Sequence, residues 1–241
     1  MTRSRSPRKL RDAEQEFAPM GSVVFIEPFF GGSHAQLVRL LRASIGNRKT
    51  FLCTLPAKKW HWRLHCSALH FSKTAPRVKP NGDHTLFASS MLNLADFLSL
   101  RPDYLPAKKI LYFHENQLAY PSRQHDETKR LGRDFHYGFA QILSCLVADV
   151  CLWNSKFNLN SFLARVETHL KFLPAQQRLK RGELAKQIAE KSKILYFPVE
   201  IPVQHLYDTQ VLNPDSMKPL HILWNHRWEH GKSFALLLMI N

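Results

Sequence analysis

Short apolar runs alternate with stretches of helical periodicity along most of this chain. Val23-Val24-Phe25-Ile26-Glu27-Pro28-Phe29-Phe30 is followed at once by Gly31-Gly32-Ser33-His34 and then by Ala35-Gln36-Leu37-Val38-Arg39-Leu40-Leu41. That order predicts a strand, a tight glycine turn and a helix start. Further strands are predicted at 49–55, 85–88, 109–114, 149–153 and 193–197, with helices over 92–99, 135–146 and 155–173. Strands that are apolar almost throughout, separated by helices, predict an α/β fold: a buried parallel sheet with helices on both faces. Residues 1–20 are rich in Arg and Ser and lack periodicity, which predicts a disordered basic segment. Residues 21–212 then form the first domain. The Pro-flanked stretch 213–218 reads as a linker, and His221-Ile222-Leu223-Trp224 as the first strand of a second domain within 213–241.

Composition narrows the classes. Among 241 residues, 34 Lys and Arg oppose 19 Asp and Glu, a net charge of +15. Such an excess favours a polyanionic partner. Cysteines at 53, 66, 145 and 151 form no CxxC pair, which argues against a zinc site of the usual spacing and fits a reducing compartment. No signal peptide is read at the N-terminus, and no apolar run reaches the ~18–20 residues a bilayer requires. GxSxG, Walker A and GxGxxG motifs are all missing from the sequence.

Candidate chemistry gathers just after predicted strands, at the carboxyl edge where open α/β sheets bind ligands. Gly31 and Gly32 open a helix N-terminus, where an anionic or hydroxyl-rich ligand can approach the backbone. His114-Glu115-Asn116-Gln117 with Tyr120, Asn154-Ser155, and His226-Arg227-Trp228-Glu229 are the other clusters. Lys58-Lys59-Trp60-His61-Trp62-Arg63 interleaves cations with aromatics, a pattern that grips phosphates and stacks on unpaired bases. The same segment also reads as a core-facing Trp pair flanked by solvated lysines.

Four segments together resemble the tRNA-queuosine alpha-mannosyltransferase family: 27–34, 55–63, 113–118 and 226–230, within a likeness that runs from Ser22 to Lys232. The resemblance implies a GT-B fold of two Rossmann-like domains. It implies retaining transfer of mannose from GDP-mannose to queuosine at the wobble position of tRNA-Asp, in the cytoplasm and also the nucleus. No cofactor beyond the donor and no metal is implied, because basic residues can meet the leaving diphosphate. On this basis His114 and Glu115 are the catalytic candidates. Gly31, Gly32, Arg227 and Lys232 would hold the donor, and Lys58, Lys59, Trp60, Trp62, Arg63, Asn116 and Gln117 the acceptor RNA. Past Lys232 the family pattern ends in an apolar stretch, Phe234 to Asn241. The expectation is a chain with its acceptor side intact and most donor contacts lacking, so that tRNA binding without transfer is the alternative activity.

Overall fold

The computed structural model describes residues 17–119, 135–177 and 180–199. Tyr120, Arg227, Lys232 and the predicted second domain lie outside the described residues. Six strands form one parallel sheet in the order β2-β1-β3-β4-β5-β6: β1 (Val23–Phe30), β2 (Thr50–Pro56), β3 (Thr85–Ser89), β4 (Lys108–Phe113), β5 (Val150–Trp153) and β6 (Ser192–Ile194). The helices are α1 (Gly32–Ser44), α2 (Trp60–Thr74), α3 (Leu94–Leu100), α4 (Phe135–Val147), α5 (Lys156–Leu170) and α6 (Glu183–Glu190).

Handedness distributes these helices. A strand–helix–strand crossover between parallel strands is right-handed, so the direction of each step across the sheet selects the face its helix covers. The step from β1 to β2 runs one way, and every later step runs the other way. Accordingly α1 packs on one face, where Leu37 and Val38 meet Val23, Phe25, Phe87 and Tyr112. The other five pack on the opposite face. There Ala68, Phe71, Phe97, Ile142, Phe162, Val166 and Ile188 cover Val24, Ile26, Leu86, Leu111, Phe113 and Trp153. Alternate residues of β1 thus enter different cores, as the two-residue strand period requires.

Within the described residues the predicted strands and the four predicted helices, α1 among them, are present with small shifts at their ends. Two helices, α2 and α6, were not foreseen. Both carry an apolar stripe at helical spacing, with Leu64, Ala68 and Phe71 in one and Leu184 and Ile188 in the other. β6 ends at Ile194, three residues earlier than expected. Leu195 N–H still donates to Trp153 O at 2.9 Å, but Phe197 turns onto the α1 face of the sheet. At the other end, residues 17–20 fall inside the segment expected to be disordered, yet they are anchored. Ala18 is buried, its N–H donates to Arg77 O at 2.7 Å, and the Arg77 guanidinium lies over the Phe17 ring. Composition alone missed this because the anchor is a backbone bridge to a distant residue.

No helix among the described residues is long and apolar enough to cross a membrane. The four cysteines are free, and burial pushes the Cys53 thiol up to about 11.

The turn after β1 is held by shape as well as by backbone freedom. Gly32 has φ +50°, the left-handed region that favours glycine. Gly31 is extended at φ −171°, so its requirement is steric: an added Cβ would stand 2.5 Å from Ala57 Cβ. Gly31→Ala should therefore cost about 1–3 kcal/mol by overpacking. Adding Ala57→Gly should restore most of that, and urea midpoints of the two variants check it. A double variant no more stable than the single one would rule out this contact as the cause.

Candidate active site at the carboxyl edge

β1 leaves regular pairing where the site begins. Its register with β2 shifts between Glu27 and Phe30, because Pro28 has no N–H to give to the ladder. The Glu27 carboxylate fills part of the gap: Oε1 accepts from Phe29 N–H at 2.8 Å and from the Ser89 hydroxyl, at the end of β3, at 2.9 Å. Oε2 lies 3.2 Å from Nδ1 of His34 in the first turn of α1. Glu27 is only 2% exposed.

His34 in turn stacks on His114, which directly follows β4. Their ring centroids are 3.8 Å apart and the planes differ by 26°. Tyr112 approaches His114 edge-on at 4.8 Å, and Phe29 approaches His34 edge-on at 5.7 Å. Burial, and secondarily the neighbouring His34, pushes His114 down to about 3 from the usual 6.5. His114 is therefore a neutral imidazole at physiological pH, and its Nε2 is buried without a hydrogen-bond partner. A neutral imidazole can exchange hydrogen bonds with a hydroxyl but offers no standing positive charge.

A network of asparagines carries the loop that holds His114. Asn154 Nδ2 donates to His114 O at 2.6 Å, and Asn158 Nδ2 donates to Asn154 Oδ1 and to Phe113 O. Ser155 caps α5 by accepting from Asn158 N–H. Asn116, expected on the RNA side, is buried here. Its Nδ2 donates to Asn158 Oδ1 at 2.7 Å and its Oδ1 accepts from Ala119 N–H at 2.7 Å, so its polar atoms face inward and shape the loop. Gln117 N–H donates to Gln141 Oε1 of α4, and its side chain donates to Glu115. Glu115, expected to be catalytic beside His114, is exposed and is not part of the Glu27–His34–His114 group.

The Lys58 to Arg63 segment is the start of α2, which leaves the same sheet edge. Lys59 caps it in the left-handed region, at φ 53°. Lys58 and Lys59 are exposed, as are Trp60 at 39% and Trp62 at 58%, so the core-facing reading of the Trp pair does not hold. Arg63 is half-buried and donates to Pro56 O at 3.3 Å. Trp60 meets Tyr137 of α4 at 5.2 Å, and Tyr137 packs with Leu64, Met91 and Phe29. Aromatic contact thus runs from the exposed start of α2 to Phe29 and on to His34.

The structure brings Gly31, Gly32 and His114 to one edge, with Lys58, Lys59, Trp60 and Trp62 beside them. Sequence reasoning placed His34 in the Gly31–His34 cluster without giving it a role, and gave Glu27 none. A carboxylate inside an apolar strand was the available signal for Glu27.

A histidine held neutral in the fold is protonated more readily once unfolded, so the acid side carries a stability cost. Its stability contribution is intact above about pH 6.5 and is lost as pH falls toward about 3. His114→Gln should lower the midpoint of thermal unfolding at neutral pH yet lose less of it than the parent chain between about pH 6.5 and 4. Equal acid loss in both proteins would place the titration elsewhere.

Comparison with known proteins agrees with the motifs. A family model described as tRNA-queuosine alpha-mannosyltransferase N-terminal matches residues 22–199. A Drosophila melanogaster protein named tRNA-queuosine alpha-mannosyltransferase is 45% identical over 223 residues, covering 90% of this chain and 56% of that protein. The chain thus spans little more than half the length of that relative. No solved structure matches it. With the parallel sheet, the glycine turn and the paired histidines at its carboxyl edge, the chain belongs to the tRNA-queuosine alpha-mannosyltransferase family through that family's N-terminal domain.

Proposed function

We propose that this chain forms the acceptor-side half of a transferase that moves mannose from GDP-mannose to queuosine at the wobble position of tRNA-Asp, with retention at the anomeric carbon. The observation that carries the reading is the convergence of two different surfaces on one sheet edge. The stacked His34–His114 pair beside the glycine turn, its His114 ring neutral, suits a hydroxyl-rich sugar. The exposed cations and indoles at the start of α2 suit an anticodon loop, whose unpaired bases stack on aromatic rings while its phosphates meet lysines. His114 serves as a hydrogen-bonding partner of the transferred sugar. Being neutral, it can polarise a hydroxyl without repelling an oxocarbenium-like centre. Positive charge for the departing diphosphate falls to Arg227 and Lys232 in a second GT-B domain, which would close over this edge. The site works in the cytoplasm, and in the nucleus where tRNA passes through it.

Affinity for a synthetic anticodon arm, measured across a salt series, tests the acceptor side. The queuosine-bearing arm should bind more tightly than the same arm with guanosine, and equal affinities would overturn the assignment. Replacing Lys58, Lys59 and Arg63 with Ala should flatten the salt slope by about 1.4–2, at ~0.7 per phosphate contact. Trp62→Ala should weaken binding by about 1–3 kcal/mol with little change in slope, as loss of a stacked base predicts.

A further inference from the structure

Glu27 is an improbable residue to find inside β1. Enclosing a carboxylate costs several kcal/mol unless its oxygens are well supplied with donors. Here Oε1 is supplied twice, by Phe29 N–H and by the Ser89 hydroxyl, and Oε2 faces only the imidazole of His34 among the contacts described. Nδ1 is buried and lies outside hydrogen-bond geometry toward any partner among the described residues, so the 3.2 Å approach is an electrostatic one; a carboxylate that close repels a bare Nδ1 lone pair and favours a proton on that nitrogen. In a neutral ring that leaves Nε2 bare.

The ring so oriented is the one that stacks on His114. Its backbone is fixed independently, since His34 N–H donates to Gly31 O within the glycine turn. Glu27 therefore couples three parts of the edge: the interrupted strand β1, the end of β3 through Ser89, and the first turn of α1. Other groups around the pair are Tyr112 of β4 and Phe197 after β6, both packed against His114.

We propose that Glu27 is a positioning residue for hydroxyl recognition: the charge of its carboxylate, 3.2 Å from Nδ1 of His34, holds the ring proton on that nitrogen and leaves Nε2 of His34 as an acceptor for a sugar hydroxyl. The sugar as ligand rests on the mannosyl-transfer reading above, whereas the proton assignment rests on geometry alone. Glu27, His34 and His114 also offer ligand atoms within 4.8 Å of one another, a spacing that invites a metal reading. The near-parallel rings, however, set their in-plane lone pairs side by side instead of aiming them at one point.

Nitrogen NMR of the histidine rings in the 241-residue chain tests the proposal without any activity measurement. The expected wild-type result is a protonated Nδ1 at His34, whether the ring is neutral or charged. A bare Nδ1 would overturn the proposal, and this reading needs no variant to fold. In Glu27→Gln the amide can donate, so most neutral His34 rings should shift their proton to Nε2, while amide spectra and the melting curve report that the chain is folded. A folded Glu27→Gln chain with an unchanged His34 tautomer contradicts the positioning role. Equimolar zinc that deprotonates Nδ1 and shifts both histidines would replace the proposal with a metal site. If His34 has the expected tautomer but free mannose at high concentration leaves both rings unperturbed, the sugar reading of this edge fails and the proton assignment stands.

Discussion

A single reversal in the order of strands determines most of what this chain can do. The step from β1 to β2 goes one way across the sheet and all later steps go the other. Right-handed crossovers then send α1 to one face and the remaining helices to the opposite face. The connections leaving β1 and β3 part in opposite directions, which opens a crevice at their carboxyl ends. Ser89 closes β3 there, Glu27 and the glycine turn close β1, and His114 arrives from the neighbouring β4. None of these residues is close to the others in sequence except along β1 and its turn. Topology alone brings them together.

That crevice is polar within an apolar setting, and it persists because its polar atoms are supplied with partners. Glu27 accepts from Phe29 N–H where β1 leaves the ladder, and Asn116, Asn154 and Asn158 tie the loop after β4 to the start of α5. Burial of an incomplete network would be worse than an apolar core. Exceptions around the crevice among the described residues are His114 Nε2, His34 Nδ1 and Gln141 Nε2, each enclosed without a hydrogen-bond partner. An unsatisfied nitrogen at a ligand-binding edge is a cost to stability that a bound hydroxyl can remove.

Much of the sheet was legible from the chain itself. Val23–Ile26, Phe51–Leu55 and Ile110–Phe113 are apolar enough to be buried on both faces, and their spacing demanded crossovers. The glycine turn was legible because two glycines sit where a strand pattern becomes a helix pattern. α2 was obscured because its exposed cations and indoles drew attention to chemistry and away from the stripe of Leu64, Ala68 and Phe71 behind them. The orientations of Asn116 and Glu115 were illegible for a related reason. Adjacent residues of a loop can point into the protein or out of it, and only the contact of Asn116 with α5 and the exposure of Glu115 show that the first points in and the second out. Glu27 and His34 could not be paired from sequence, since a seven-residue separation across a strand, a turn and a helix start has no fixed side-chain geometry.

The proposed function requires that substrate meet the chain at the carboxyl edge around this reversal. Mapping backbone amide shifts of the chain on addition of a queuosine-bearing anticodon arm tests it directly. The changes should gather at Gly31–His34, at Lys58–Trp62 and at His114–Gln117, which are remote in sequence and joined only by the fold. Changes confined to the amino edge of the sheet, or to the outer surfaces of α3 and α6, would contradict it.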